Sequence, residues 1–306
     1  MKTLLILTDG KAGHENQSKA FARALGCDFE LRSVCFRSRL HKAFSYALDR
    51  LGVQSSQLFK VDGEIEKGRF AAVVGTGSGT FYAVKTVAKK SGIPSAVILY
   101  PRGYRLSDFN CVMAPVFDKP RKAQNLVEVP VNLVAGDEEF YANGVEEFLK
   151  RHSPNKESVA VIVGGPNRCS TMSAEWMRSE LEKVFAENQG KEFWVTTSRR
   201  TPPEVEAVVD SFPFDYKLIY SRDKFNPIPA FVKLAKRLYV TAESTGMLSE
   251  ACTFGVAQVQ ALDNLKSGGG KFRRFLDGLK AEGYVGGSRK ADLSSRFEAA
   301  KKLLRI

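Results

Sequence analysis

Histidine, paired cysteines and long apolar runs are all scarce in this chain, and each shortage closes off a class of function. Only 3 of the 306 residues are histidine, and no cluster of ligand-type side chains stands at metal-binding spacing, so no metal site is expected. The 5 cysteines (Cys27, Cys35, Cys111, Cys169 and Cys252) are scattered, odd in number and never arranged Cys-x-x-Cys. Neither a zinc site nor a disulfide framework is indicated, which fits a reducing cytoplasm. Each cysteine reads as a small core residue rather than a nucleophile. No apolar run reaches membrane-span length. The opening residues 1–10 resemble a short signal core, but Asp9 and Gly10 interrupt it and no clean cleavage site follows, so it reads as a buried strand. Neither a G-x-S-x-G elbow nor a G-x-G-x-x-G fingerprint occurs. Acidic residues are in the minority, 34 against 46 basic, for a net charge of +12. The excess is spread: 21 basic against 16 acidic residues over 1–150, and 25 against 18 beyond. A diffuse positive field favours anionic substrates, nucleic acid or an acidic membrane surface. No zinc-finger, homeodomain or RNA-recognition motif is visible, so nucleic acid is not an expected partner.

What is present is a repeated alternation of strand and helix, at a length that suits two domains. Thr3–Thr8 is a continuous apolar run, as in a parallel sheet covered on both faces. It enters the polar stretch from Asp9 to Gln17, and a helix with Ala20, Phe21, Ala24 and Leu25 on one face comes next. Strands are expected at 29–34, 70–74, 95–100, 109–114 and 126–131, with helices at 41–51, 81–90 and 138–150. A second glycine loop, Gly75 to Thr80, precedes the helix at 81. The polar segment 151–157 breaks the pattern and is the best linker candidate. The alternation then restarts, with strands at 158–163, 192–196, 216–220 and 256–262 and helices at 174–188, 228–236, 271–279 and 293–304. Alternating β and α elements imply an open α/β sheet in each half.

The organising stretch is Val240 to Ala251, which reads as strand, tight polar turn and helix. Glu243, Ser244, Thr245 and Gly246 form the turn. Small residues there let amides at a helix N-terminus approach an anion. Ser249 and Glu250 lie one turn further in, where a carboxylate can accept from a pair of sugar hydroxyls. The alternative is an ordinary Ser/Thr-capped helix in which Glu250 compensates the dipole. Three more turns end predicted strands in this half: Gly164, Gly165 and Asn167; Ser198, Arg199 and Arg200; and the Gly268–Arg274 stretch with Lys271 and Arg273. Arginine gives bidentate contacts to phosphate oxygens and glycine gives them access, which a diphosphate requires. The competing readings are a solvated loop for the arginine pair and an exposed helix face for 271–274. In the first half, Asp9, Gly10, Gly13, His14, Glu15, Asn16 and Gln17 crowd one loop, with Gly75 and Gly77 in the next. His14 or a nearby carboxylate there is a candidate general base. Asp9 also reads as a loop-ordering or capping residue. His41 and His152 receive no role.

On these motifs, Asp9-Gly-Lys-Ala-Gly-His-Glu-Asn-Gln17, Thr197-Ser-Arg-Arg-Thr-Pro202, Thr241-Ala-Glu-Ser-Thr-Gly-Met-Leu-Ser-Glu250 and Gly268-Gly-Gly-Lys-Phe-Arg-Arg274, the chain resembles the bacterial branch of the elongated-mitochondria (mitochondrial fission ELM-type) family. Its bacterial members are often labelled nucleoside-diphosphate-sugar epimerases, and its plant members act in mitochondrial fission. A more distant resemblance is to GT-B glycosyltransferases such as the peptidoglycan N-acetylglucosaminyltransferase. It rests on Gly10-x-x-Gly13-His14 before a helix and on Ser244 through Ala251. It implies a ribose contact for Glu250 and phosphate contacts for Ser244, Thr245 and Gly246. The proline that comes after the histidine of that enzyme is missing here, where Asn16 and Gln17 stand.

The expectation is therefore an α/β protein of two Rossmann-like domains facing a cleft, of GT-B type. Residues 1–152 are assigned to an acceptor-side domain, 153–290 to a nucleotide-sugar domain, and 291–306 to a helix packing back on the first. The expected activity is sugar transfer from a nucleotide-diphosphate-sugar substrate, without a separate cofactor, to an acceptor such as a cell-envelope glycolipid. The alternatives are a non-hydrolysing nucleotide-sugar epimerase and a non-catalytic adaptor. His14 and Asp9 are the candidate catalytic pair. The expected location is the cytoplasm, with peripheral contact at an anionic membrane surface.

Overall fold

Runs of aliphatic and β-branched residues without polar alternation make strands buried on both faces, and amphipathic helices between them cover those faces. The computed structural model describes residues 2–66, 68–268 and 270–306. It divides the chain into two units, Met1–Ala135 with Asp292–Ile306, and Gly136–Ala291.

In unit 1 the strands are β1 (Thr3–Thr8), β2 (Asp28–Phe36), β3 (Phe59–Val61), β4 (Ala72–Thr76), β5 (Ser95–Ile98), β6 (Cys111–Pro115) and β7 (Leu126–Val129). Helices α1 (Ala12–Ala24), α2 (Arg39–Arg50) and α3 (Phe81–Ser91) connect them. The sheet order is β3-β2-β1-β4-β5-β6-β7. All neighbours run parallel except the short edge pair β2–β3. Leu4, Leu5, Ile6 and Leu7 are fully buried in succession, as a central strand covered on both faces demands. The order reverses between β1 and β4, and in open α/β sheets the crevice beyond the carboxyl ends of such a pair is where ligands bind.

Two of the boundaries that differ from the sequence expectation bear on the site. Helix α1 begins at Ala12, so Gly13, His14, Glu15, Asn16 and Gln17 stand on its first turns rather than in a loop. Gly75 lies inside β4, so the second loop is shorter than expected. Strand β3 was not expected; three residues at a sheet edge carry little periodic signal.

Unit 2 runs α4 (Glu138–Leu149), β8 (Ser158–Ile162), α5 (Ala174–Glu187), β9 (Glu192–Thr196), α6 (Pro203–Ser211), β10 (Tyr216–Leu218), α7 (Ile228–Leu234), β11 (Arg237–Thr241), α8 (Thr245–Phe254), β12 (Gln258–Leu262) and α9 (Gly270–Ala281). Its sheet is wholly parallel in the order β10-β9-β8-β11-β12, with the reversal between β8 and β11. Ser173 caps α5 by accepting from the Trp176 N–H at 3.2 Å.

The division falls at 135/136, ahead of α4, and not in the polar segment 151–157. Phe148 of α4 is fully buried against Tyr216 (ring centroids 4.8 Å apart), Trp194 (5.0 Å) and Phe231 (5.8 Å). A Cβ at Gly144 would lie 2.5 Å from the Pro229 side chain, so glycine is what lets α4 approach α7 so closely. The polar segment is itself fastened: buried Glu192 pairs with His152 and accepts the Asn155 N–H at 2.9 Å and the Trp194 indole N–H at 2.7 Å. Burial disfavours the Glu192 carboxylate, yet these donors together hold it below the ordinary glutamate range. The final helix, α10 (Ser294–Leu304), belongs to unit 1, with Ala300 and Leu304 fully buried and Phe297 6.4 Å from Phe21.

Candidate functional site

Beyond β9 of unit 2 stand Ser198, Arg199 and Arg200, and beyond β12 Lys271 and Arg273; the other sequence-predicted residues of each unit lie at or past the carboxyl ends of the two strands flanking its order reversal. In unit 2 those strands are β8 and β11. The turn after β8 is held to the turn after β11 by one buried carboxylate. Glu243 is 2% exposed. Its Oε1 accepts from the Gly165 N–H at 2.8 Å and the Thr241 hydroxyl at 3.0 Å, and its Oε2 accepts from the Asn264 amide at 2.7 Å. The Gly164 N–H donates to Thr241 Oγ1 at 2.9 Å. Glu243 is therefore an anchor of the turn rather than a group presented to a ligand.

Thr201 makes the matching knot on the other side. Its hydroxyl donates to the Gly164 carbonyl at 2.5 Å and accepts from the Ser198 N–H at 2.8 Å. Gly164 and Gly165 have no room for a side chain. A Cβ on the first would collide with Glu243 and Ser244, and one on the second with the Arg200 carbonyl. Access for a ligand was the sequence argument for these glycines; the contact between three turns is what the structure adds. Asn167 orders its own turn, accepting the Cys169 N–H at 2.7 Å.

Around this frame, Arg199 and Arg200 are exposed, and among the described residues neither is in an ion pair. Ser244 precedes α8 without a side-chain cap; the Thr245 N–H donates to the Glu243 carbonyl at 3.1 Å, and exposed Gly246 follows it on the first turn. Ser249 is buried and its hydroxyl donates back to the Thr245 carbonyl at 2.7 Å, which turns it away from a ligand role. Arg273 is committed to Asp263, with contacts at 2.6 and 3.1 Å, so it orders the β12–α9 connection. Lys271 stands exposed on the first turn of α9. Gly269 of the preceding glycine run lies outside the described residues; Gly268 adopts φ +76°.

Glu250 sits one turn into α8. The Tyr141 hydroxyl donates to its Oε1 at 3.1 Å. Burial pushes the Glu250 carboxyl up to about 6, with the tyrosine bond working in the opposite direction. Burial also pushes the Tyr141 hydroxyl upward, and the neighbouring Glu250 charge adds to it. Nothing in the sequence pointed to Tyr141: it is 109 positions from Glu250 and on a helix assigned to the other domain.

In unit 1 the flanking strands are β1 and β4. The Asp9 side chain is 9% exposed and receives His14 Nδ1 at 3.0 and 3.1 Å and Lys11 Nζ at 2.9 Å. Burial opposes its ionisation, but the Lys11 and His14 bonds outweigh that and hold the carboxyl below its ordinary value. With Nδ1 facing a carboxylate, the neutral ring carries its proton there and leaves Nε2 as the acceptor; the tautomer is inferred from this contact. The glycine loop after β4 closes on the pair. Gly77, at φ +83°, lies against the His14 ring, and a Cβ on Gly79 would stand 2.7 Å from Asp9 Oδ2. Gly75 is held close to Thr80 and Val84. Gly10 and Gly13 adjoin open space. Asn16 is exposed, and the Gln17 amide donates to the Gly13 carbonyl at 3.3 Å. No group of three or more His, Cys, Asp or Glu side chains is placed to hold a metal among the described residues.

Comparisons with known proteins agree with this architecture. A family model described as "Mitochondrial fission ELM1" matches residues 12–301. A curated relative, the uncharacterized protein RP120 of Rickettsia prowazekii (strain Madrid E), is 32% identical over 115 residues. That match covers 35% of this chain and about a third (32%) of the relative's length. Among solved structures, the UDP-GlcNAc 2-epimerase of Methanocaldococcus jannaschii superposes with a TM-score of 0.52 at 13% identity, covering 100% of this chain and 98% of that one. A UDP-glucosyltransferase from Polygonum tinctorium gives 0.50 at 12% identity, covering 99% and 94%. At such identities the likeness shows the fold, which is GT-B, with a Rossmann-like sheet in each unit.

Proposed function

Since the chain belongs to the mitochondrial fission ELM1 family, we propose that it is a glycosyltransferase using a nucleoside-diphosphate sugar, with the turns at the strand ends of unit 2 as its donor site. The observation that carries this reading is Glu250. A carboxylate is kept largely buried one turn into α8, directly behind a helix N-terminus that has no side-chain cap and exposes Gly246. Diphosphate on the amides of that terminus and ribose hydroxyls on that carboxylate is a chemically matched pair of contacts. Arg199 and Arg200, and Lys271 on α9, supply the positive charge that stabilises a departing diphosphate.

The same reading gives His14 the acceptor-side role. Asp9 fixes the ring through Nδ1, and Nε2 takes the proton of an attacking hydroxyl. The acceptor we assign is a glycolipid at the cytoplasmic face of a membrane. A second reading, sugar-nucleotide epimerisation, is favoured by the likeness in fold to the M. jannaschii UDP-GlcNAc 2-epimerase. Product analysis without any acceptor separates the two, because only an epimerase changes the sugar nucleotide on its own.

A thermal-shift series with UDP, GDP and ADP sugars tests the common premise. At 100 times its dissociation constant a ligand stabilises by about 2.7 kcal/mol. If no nucleotide moves the transition, the donor reading fails and a non-catalytic adaptor takes its place.

A further inference from the structure

Helix α2 is inverted relative to an ordinary surface helix. Its inward face is polar. Ser45 is fully buried with its hydroxyl 2.8 Å from the Tyr104 hydroxyl. Asp49, 1% exposed, pairs with the fully buried Lys85 and accepts the Arg105 backbone N–H at 2.8 Å. Tyr46 stacks on Tyr104 with centroids 4.5 Å apart. The outward face is apolar: Leu40 is 71% exposed, Phe44 60%, and Leu51, one residue past the helix, 75%. Leu40, Phe44, Ala47 and Leu51 recur at steps of four, three and four, so they form one stripe. An ordinary helix would turn such a stripe to the core. Here a buried ion pair and two tyrosines fix the opposite orientation.

The charge around the stripe has one sign. Arg37, Arg39 and Arg50 are exposed, and the only acidic residue between positions 37 and 61 is Asp49, which is turned inward. We propose that α2 docks this protein on an anionic lipid bilayer, with the Leu40–Phe44–Leu51 stripe entering the boundary between headgroups and acyl chains. The arginines then stay level with the lipid phosphates. A second copy of the chain fits less well, because a symmetric contact would set the same arginines against one another. The inference agrees with a membrane-borne acceptor but does not depend on the nucleotide site, since none of its residues belongs to that site.

Vesicle flotation with the full chain tests it. The parent should float with vesicles containing about 30% phosphatidylglycerol and remain behind with pure phosphatidylcholine, since the surface attraction needs anionic lipid. Leu40→Ser with Phe44→Ser should reduce the bound fraction about tenfold or more, and high salt should weaken the parent's binding. Both side chains are exposed, so the variant should melt as the parent does. A parent that ignores anionic vesicles, or a double variant that binds them equally, overturns the proposal. So does a parent that is dimeric in solution and becomes monomeric in the variant, which would make the stripe a contact between copies. UDP titration of both proteins keeps the two readings apart: a parent that ignores anionic vesicles yet binds UDP overturns docking alone, whereas a variant that loses the vesicles and keeps UDP is the expected result.

Discussion

Replacing Glu250 by glutamine should stabilise the protein at neutral pH while weakening its nucleotide binding. The carboxyl titrates at about 6 rather than at its ordinary 4.5, chiefly through burial. That difference corresponds to about 2 kcal/mol of free energy against ionisation in the folded state. The folded value lies above the unfolded one, so the folded state holds the extra proton between about 4.5 and 6. The associated stability is fully present below 4.5 and is lost as pH rises through 6. Above pH 7 the native protein carries the whole cost. Glutamine carries none, and its carbonyl oxygen can still accept the Tyr141 hydroxyl. Thermal denaturation should therefore show Glu250→Gln and the parent melting together near pH 4.5 and separating by pH 8. The variant should be higher there by about 4–8 °C for a cooperative unit of roughly 150 residues. Calorimetric titration at pH 8 should show the same variant losing nucleotide affinity, because an amide replaces a charged acceptor. A melting difference that is the same at both pH values would refute the argument that Glu250 is desolvated. A stabilised variant with full affinity would leave the desolvation standing and remove the ribose contact.

Four further outcomes concern the two strand-end constellations. Asp9→Asn removes the acceptor that holds His14 Nδ1 and should lower turnover by about 100-fold or more with donor affinity nearly unchanged, measured by steady-state kinetics; equal turnover would dismiss the pair. Because the Asp9 carboxyl is held below 3.8, its stabilising contribution should be present above that value and fade on further acidification in the parent but not in the variant, as followed by circular dichroism. Arg199→Ala and Arg200→Ala should each weaken binding of a nucleoside diphosphate by about 1.5–3 kcal/mol without a change in melting temperature; unchanged binding in both would make the pair surface decoration. Gly165→Ala places a methyl group on the Arg200 carbonyl and should destabilise the protein by about 1–3 kcal/mol in urea denaturation.

Much of the fold was readable in the sequence because its strands are continuous apolar runs and its helices carry 3.6-residue stripes. Thr3–Thr8 and Glu192–Thr196 were located to the residue. The alternation also pointed to the turns that meet at the strand ends. What could not be read was which polar residues face inward. Glu243, Glu250 and Glu192 look alike in a sequence, yet one fastens two turns, one is kept largely buried beside a tyrosine, and one anchors a segment that looked like a linker. The partner that decides each case is remote in sequence: Gly165, Tyr141 and His152 respectively. The division between the units was misplaced for the same reason. Chain composition marked the polar segment 151–157, whereas the aromatic packing of Phe148 joins α4 to the second sheet and to α7.

The return of α10 to unit 1 makes that unit discontinuous in the order of synthesis. Everything from Gly136 to Ala291 emerges from the ribosome between β7 and the helix that covers it. At roughly 5–20 residues per second, the first unit waits on the order of 10–30 seconds for its last structural piece. Through that interval Phe21 lacks its ring partner Phe297, and the core positions filled by Ala300 and Leu304 are vacant. The second unit, being continuous, can finish first. The N-terminal unit thus receives its last element only after the whole C-terminal unit has been synthesised, and a released chain truncated before residue 292 would carry every element of the C-terminal unit joined to an N-terminal one that lacks α10.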